Sequence, residues 1–284
     1  MEQLSNITTI KQLLSKHGFT FSKSLGQNFL INPSVCPKMA LMSNTQNQGV
    51  IEIGPGIGVL TNELAKSAKK VVAIELDKRL MPVLKETLGE YDNVKIINSD
   101  VLKIDLKKLI DEEFNGMEVS VCANLPYYIT SPVIMKLLED KLNIKNITVM
   151  VQKEAGLRIC ADVPSRECGA VTVAVRYYCE PEILFNVSKG SFLPAPNVDS
   201  CVIKLNLHKE PIVDIIDEKM FFKVVKASFG QRRKTLPNTL SSGLSLPKDT
   251  INNILNSLNI PLNTRAEQLT MQNFASIANS LLNI

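Results

Sequence analysis

The chain has 284 residues, 45% hydrophobic and 21% charged, with a formal net charge of +4. That apolar content excludes intrinsic disorder; no apolar run reaches the roughly 18 residues of a membrane helix, and MEQLSNITTIKQ lacks the apolar core of a secretory leader, so a cytoplasmic protein of one large or two smaller domains is expected. With only His17 and His208, and with Cys36, Cys122, Cys160, Cys168, Cys179 and Cys201 forming no CxxC pair, a His-rich metal centre is excluded, neither zinc nor a redox motif is signalled, and no metal is expected.

Taken from the N-terminus, the charge is uneven. No acidic residue lies between Glu2 and Glu52, a segment that holds Lys11, Lys16, Lys23 and Lys38. Asn32-Pro33 predicts a helix start, with Asn as N-cap and Pro at the first helical position, packed before the first strand. From about residue 49 to 153 the β-rich runs VIEI, VVAIE, NVKIIN, EVSVCAN and NITVMVQ alternate with helical patterns. That rhythm predicts βα units and a parallel sheet. PEILFNVSKGSFLPAPNVDSCVIKLNL has strand runs around a Pro-rich loop and predicts an antiparallel hairpin that finishes the sheet. Cys122 and Cys201 sit in apolar stretches and read as small buried hydrophobes.

Beyond about residue 208 helical signals replace β signals. Ile251, Ile254, Leu255 and Leu258 recur at helical spacing, and Thr264 with Glu267 has the spacing of a capping box. A catalytic domain over residues 1–208 and a small helical domain over 209–284 are therefore expected. The stretch between Glu218 and Asp249 is again free of acid and carries Lys219, Lys223, Lys226, Arg232, Arg233, Lys234 and Lys248, which leaves the rest of the chain acidic. At about 100° per residue, Lys219, Lys223 and Lys226 fall within roughly 60°, opposite Phe221, Val224, Val225 and Ser228. Such a face is either simply solvated or a phosphate-binding surface; the adjoining Arg232-Arg233-Lys234 run favours the second.

GPGIG follows the strand VIEI and precedes a helical pattern, a turn where glycines let a ligand approach the backbone. Gly54 and Gly56 belong to G-x-G-x-G rather than to the pyrophosphate fingerprint G-x-G-x-x-G, and alone such a loop is equally compatible with a tight turn. Glu75 ends VVAIE, 21 residues after Gly54, where an acid accepts hydrogen bonds from ribose hydroxyls. Asp100 follows NVKIIN, placed to accept from an adenine amine. Three ligand-facing residues at the carboxyl ends of successive strands, without the pyrophosphate pattern, point to an adenosine lacking phosphates, S-adenosylmethionine being the common one. After the fourth strand comes Asn124-Leu125-Pro126-Tyr127. An adenine amine is a poor nucleophile because its lone pair is delocalised into the ring; the Asn124 oxygen and the Leu125 carbonyl, whose direction Pro126 helps fix, can accept both N–H bonds, and Tyr127 can stack on the base.

This series resembles the class I S-adenosylmethionine-dependent methyltransferases acting on N6 of adenine. SKSLGQNFLINPSV at residues 22–35, SFLPAPNVDS at 191–200 and SFGQRRKTLPNTL at 228–240 narrow the resemblance to the 16S ribosomal RNA adenine dimethyltransferase family, over nearly the whole chain. SRECGAVTVAVRYY matches that family only loosely. The resemblance implies a Rossmann-like α/β sheet with a small C-terminal α-helical domain, and dimethylation of two adjacent adenines near the 3′ end of 16S rRNA, in the small ribosomal subunit or its precursor. A monomer is expected. Residue by residue, it implies that Asn28 and Leu30 of QNFL contact the cofactor, that Gly54 lies under its methionine part with Gly56 in the same loop, that Glu75 binds the ribose and Asp100 the adenine, and that Asn124 serves cofactor and target alike. Phe192 would stack on the target adenine opposite Tyr127; read from its loop alone, it is equally an aromatic covering the core. Lys23, Lys223, Lys226, Arg232, Arg233 and Lys234 are the candidate RNA contacts. The related 23S rRNA methyltransferases of macrolide resistance typically carry NIPY, and adenine-specific DNA methyltransferases a second proline in place of Leu125; a non-catalytic assembly factor is the alternative outside enzymes.

Overall fold

The computed structural model describes residues 4–22 and 26–282, so Lys23 lies outside the described residues. In chain order the elements are α1 (Ile7–Lys16), β1 (Phe29–Leu30), α2 (Val35–Met42), β2 (Gly49–Ile53), α3 (Val59–Ala65), β3 (Lys70–Glu75), α4 (Met81–Leu88), β4 (Val94–Asn98), α5 (Leu106–Phe114), β5 (Val119–Asn124), α6 (Thr130–Glu139) and β6 (Asn146–Gln152). They continue with α7 (Lys153–Ile159), α8 (Ala170–Tyr178), β7 (Cys179–Val187), β8 (Phe192–Leu193), β9 (Ser200–Leu207), α9 (Glu218–Ser228), α10 (Leu236–Leu244), α11 (Lys248–Ser257) and α12 (Met271–Leu281). No helix among the described residues is long and apolar enough to cross a membrane.

Seven strands form one sheet in the order β4-β3-β2-β5-β6-β9-β7. The pairs β2–β3, β3–β4, β2–β5 and β5–β6 are parallel, and β9 runs antiparallel to β6. The runs read as strands are these strands, and β7 and β9 finish one edge side by side as the hairpin segment predicted. GVIEI in β2 is buried at every position, which is how a central parallel strand covered on both faces reads. Cys122 and Cys201 are buried, as are Cys36, Cys168 and Cys179. From β2 the chain winds outward through β3 to β4, then returns to place β5 on the other side of β2. That reversal opens a crevice at the carboxyl ends of β2 and β5, where sheets of this kind bind ligands.

The chain divides into two compact units. The first comprises Met1–Gly156 and Glu182–Leu207, the second Leu157–Pro181 and His208–Ile284. The division expected at 208/209 lies beside one of these boundaries, and residues 157–181 group with 208–284 rather than with the segments around them. Cys168, Val173 and Tyr177 pack in one core with Phe221, Val224, Leu240, Leu255 and Phe274, contacts across 40 residues or more that no local pattern reveals. Within this unit α9 is capped by Asp217, whose side chain accepts from Met220 N, and carries Glu218 in its first turn and Lys226 in its last, both favourable to the helix dipole. Phe221, Val224, Val225 and Ser228 are buried while Lys219, Lys223 and Lys226 are exposed, in agreement with the helical-wheel expectation.

Two predicted helix starts are displaced. Asn32 does not cap a helix beginning at Pro33; its Oδ1 accepts from the backbone N–H of Ser34 at 3.1 Å and from Ser34 Oγ at 2.8 Å, closing a turn, and α2 begins at Val35. Thr264 and Glu267 form no capping box. The Gln268 side chain accepts from Arg265 N–H instead, and Thr270 with Asn273 caps α12. In each case the polar side chains satisfy neighbouring backbone donors in a turn rather than at a helix start.

The acid-free N-terminal segment is not acid-free in space. Lys16 Nζ lies 2.7 Å from Glu86 of α4, and Lys38 sits over the Phe185 ring at 4.2 Å. The local excess of positive charge expected there is therefore partly neutralised by residues distant in sequence.

Candidate active site

A cavity in the first unit opens at the switch of strand order. Its wall contains Asn28, Leu30, Gly54, Gly56, Glu75, Asp100, Asn124, Leu125, Pro126, Tyr127 and Phe192, that is, every cofactor and catalytic candidate read from the sequence. They arrive from the ends of β2, β3, β4 and β5 and from the two short strands β1 and β8.

The GPGIG loop leaves β2 with positive φ at Gly54 (+68°) and Gly56 (+61°). At Gly56 a β-carbon would stand 3.1 Å from the Phe29 ring, so only glycine keeps the loop and β1 in place. Glu75 fastens the loop from the next strand: Gly56 N–H donates to its Oε2 at 3.2 Å and Asp77 N–H to its Oε1 at 2.7 Å. Burial raises the Glu75 carboxyl and these two N–H bonds oppose the rise. Each carboxylate oxygen keeps lone-pair capacity for a further donor. Asp100, one strand further on, accepts from Leu102 N–H at 3.0 Å, which sets its side chain at the cavity wall.

The second side of the cavity begins where β5 ends. Asn124 is partly exposed to the cavity, Leu125 is buried and its N–H donates to Met150 O at 3.2 Å, and Pro126 turns the chain into a short 3-10 helix. The Tyr127 hydroxyl lies 2.7 Å from Ser200 Oγ of β9. Burial raises its phenol, with the Ser200 bond opposing. Phe192, 3% exposed, belongs to the core beneath β8 and also lines the cavity. Its position is set by the antiparallel pairing of Leu30 with Phe192 and Phe29 with Leu193, which ties QNFL to SFLPAP. No sequence pattern foretold that pairing, because two-residue strands carry no periodicity.

Five residues at or beside this site were missed. Gln27 donates to Asp77 Oδ2 at 2.8 Å, and Arg79 binds both oxygens of Asp77, at 2.9 and 2.7 Å, while donating to Thr20 O. Arg79 holds the Asp77 carboxyl below its usual range, with Gln27 assisting. This network anchors the segment leading into QNFL to the end of β3. Glu52, on the strand just before the glycines, is 1% exposed and also lines the cavity. A charged residue inside VIEI was a signal in plain view. Tyr128, 54% exposed at the cavity wall, follows NLPY directly.

In the second unit Lys223, Lys226, Arg232, Arg233 and Lys234 are all exposed. Arg166 and Arg265 line a shallow concavity with Ser165, Asn263 and Gln268. Sequence reading passed over both arginines because each stands outside a basic run.

The fold and the site together define the class, a Rossmann-like α/β methyltransferase of class I that uses S-adenosylmethionine. A family model described as ribosomal RNA adenine dimethylase matches residues 18–283. Proteins named ribosomal RNA small subunit methyltransferase A are 48% identical in Bacillus cytotoxicus (99% of this chain, 98% of the relative) and 47% identical in Alkaliphilus oremlandii (99% of each). Among solved structures, a dimethyladenosine transferase from Plasmodium falciparum superposes with a TM-score of 0.73 at 25% identity, over 88% of this chain and 95% of that one. The 23S rRNA methyltransferase ErmE shares the fold, with a TM-score of 0.67 at 23% identity over 88% of this chain and 98% of its own. The chain belongs to the ribosomal RNA adenine dimethylase family.

Proposed function

We propose that this protein transfers methyl groups from S-adenosylmethionine to N6 of two adjacent adenines near the 3′ end of 16S rRNA, dimethylating each, within the small ribosomal subunit or its precursor. It acts in the cytoplasm as a monomer and needs no metal. The observation that carries this reading is the convergence, on one cavity, of QNFL, GPGIG, Glu75, Asp100, NLPY and Phe192 from separate parts of the chain.

When bound, S-adenosylmethionine supplies a methyl group on a positively charged sulfur. Gly54 and Gly56 admit its methionine part close to the backbone, Glu75 accepts from the ribose hydroxyls, and Asp100 accepts from the adenine amine; Asn28 and Leu30 close the wall from β1. The Asn124 side-chain oxygen and the Leu125 carbonyl hold the target amine so that its lone pair points at the methyl carbon. Tyr127 and Phe192 replace the stacking that the target base loses on leaving its helix. The transfer is a displacement in which positioning supplies most of the acceleration, and the amine proton departs to water afterwards, so the chain requires no strong base.

The second unit supplies the phosphate contacts. Lys223, Lys226, Arg232, Arg233 and Lys234 are exposed there, and Arg166 and Arg265, outside any basic run, line a concavity of the same unit. The test is incubation with tritiated S-adenosylmethionine and unmethylated small or large subunits, followed by mapping of the label. Two adjacent dimethylated adenines on the small subunit are expected; label confined to the large subunit overturns the reading.

A further inference from the structure

Glu52 has no part in the account above, and its surroundings are unusual for a carboxyl. It is the fourth residue of β2, fully enclosed at 1% exposure, and it lines the cofactor cavity. The Thr61 hydroxyl of α3 is near enough to favour the charged form of Glu52 without forming a hydrogen bond to it, and neither Glu52 Oε2 nor Thr61 Oγ1 has a hydrogen-bond partner among the described residues. The titratable groups around it are Cys122, its register partner on β5; Glu75 at the end of β3; Cys36 of α2; and Glu63 of α3, which reaches it through Cys36 and is itself paired with Lys66. All are acids. No cation among the described residues compensates Glu52.

A buried carboxyl in such a place keeps its proton, because a lone charge in a low-dielectric interior is costly. Burial, reinforced by Glu75 and opposed by Thr61, pushes the carboxyl up to about 8. The cofactor alters that balance. S-adenosylmethionine carries a sulfonium and an ammonium against a single carboxylate, one net positive charge; once the methyl has gone, the thioether product carries none. A positive charge brought into the cavity favours the ionised form of a carboxyl in its wall.

We propose that Glu52 reads the charge of the cavity's occupant: it releases its proton to solvent when S-adenosylmethionine enters and regains one when the uncharged S-adenosylhomocysteine remains. The ionised carboxylate then attracts the methyl donor and, reprotonated, loses that attraction for the spent product, which favours exchange of one for the other. The inference rests on the identity of the cofactor and not on the choice of RNA.

The test is calorimetric titration of the full chain with S-adenosylmethionine and with S-adenosylhomocysteine, without RNA, in buffers of different ionisation enthalpy. Proton exchange belonging to the ligands' own amines persists in Glu52→Gln, so the difference between wild type and variant is the quantity read. Relative to the variant, wild type should release up to one additional proton on binding the methyl donor and gain affinity for it by about tenfold per pH unit below about pH 8. It should show neither effect with the product. Thr61→Val removes the group that opposes the rise, so it should move the pH at which this gain levels off upward, and it serves as the test if Glu52→Gln does not fold. Equal proton release by wild type and Glu52→Gln, identical profiles for the two ligands, a Thr61→Val profile that does not move, or release lost only in Glu75→Gln overturns the proposal. None of these outcomes bears on which RNA is methylated.

Discussion

Joint replacement of Lys223, Lys226, Arg232 and Arg233 by glutamine tests whether the second unit binds RNA through phosphates. All four side chains are exposed, and no acidic residue lies between Glu218 and Asp249 to pair with them locally. Each phosphate contact contributes about 0.7 to 0.9 to the slope of log affinity against log salt, so four contacts contribute about 3. Raising salt from about 50 to about 200 mM should then cost wild type roughly 60-fold more affinity than the variant. The fold should survive. Exposed substitutions usually change stability by less than about 0.5 kcal/mol each, and Lys226 adds a similar amount as a cation in the last turn of α9. Fluorescence anisotropy with an RNA carrying adjacent adenines, across a salt series, measures the slope; calorimetry with S-adenosylmethionine checks that cofactor affinity, set by the first unit, is unchanged. A variant with the wild-type salt slope refutes the reasoning and leaves the lysine face of α9 as a solvated surface.

Asn124→Ala should abolish methyl transfer in single-turnover assays while leaving cofactor binding partly intact; an active variant refutes the role given to its side-chain oxygen. Gly56→Ala should weaken cofactor binding at least tenfold, through a positive φ costing about 1 to 2 kcal/mol and a β-carbon 3.1 Å from the Phe29 ring, whereas Gly116→Ala, with φ of +77° and open space around it, should show the strain in a melting curve and leave cofactor affinity alone. Asp77→Asn should weaken the anchoring of Gln27 and Arg79. Because the folded-state Asp77 carboxyl is depressed, its contribution to stability is full above its unfolded-state value and is lost as pH falls through its lowered one. Wild type should therefore destabilise more steeply than Asp77→Asn below about pH 4, and parallel acid-melting curves would contradict this.

Much of the site was legible because its chemistry is written in short contiguous stretches. GPGIG, the acids at strand ends and NLPY each carry their geometry locally, through φ angles, strand direction and a proline, and all of them meet in the cavity. Glu52 was equally visible in VIEI but had no function to suggest until its burial and its unpartnered oxygen were known. Arg79, Asp77 and Gln27 were invisible as a set, since nothing in DKR or GQN announces that they bind one another across 50 residues.

The sequence by itself determined the order of strands and helices along the chain, the amphipathic face of α9 and the glycine turn, because these depend on residues within a few turns of one another. Tertiary structure alone decided that β1 pairs with β8 to bring Phe192 against QNFL, that residues 157–181 join the helical core, and that Lys16 is neutralised by Glu86. Each of those outcomes joins partners far apart in the chain, and burial or ion pairing between remote residues leaves no periodic trace in either segment. The same holds for the opening charge of +4. Its C-terminal share remains an exposed basic surface, while its N-terminal share is partly taken up by a distant glutamate and an aromatic ring.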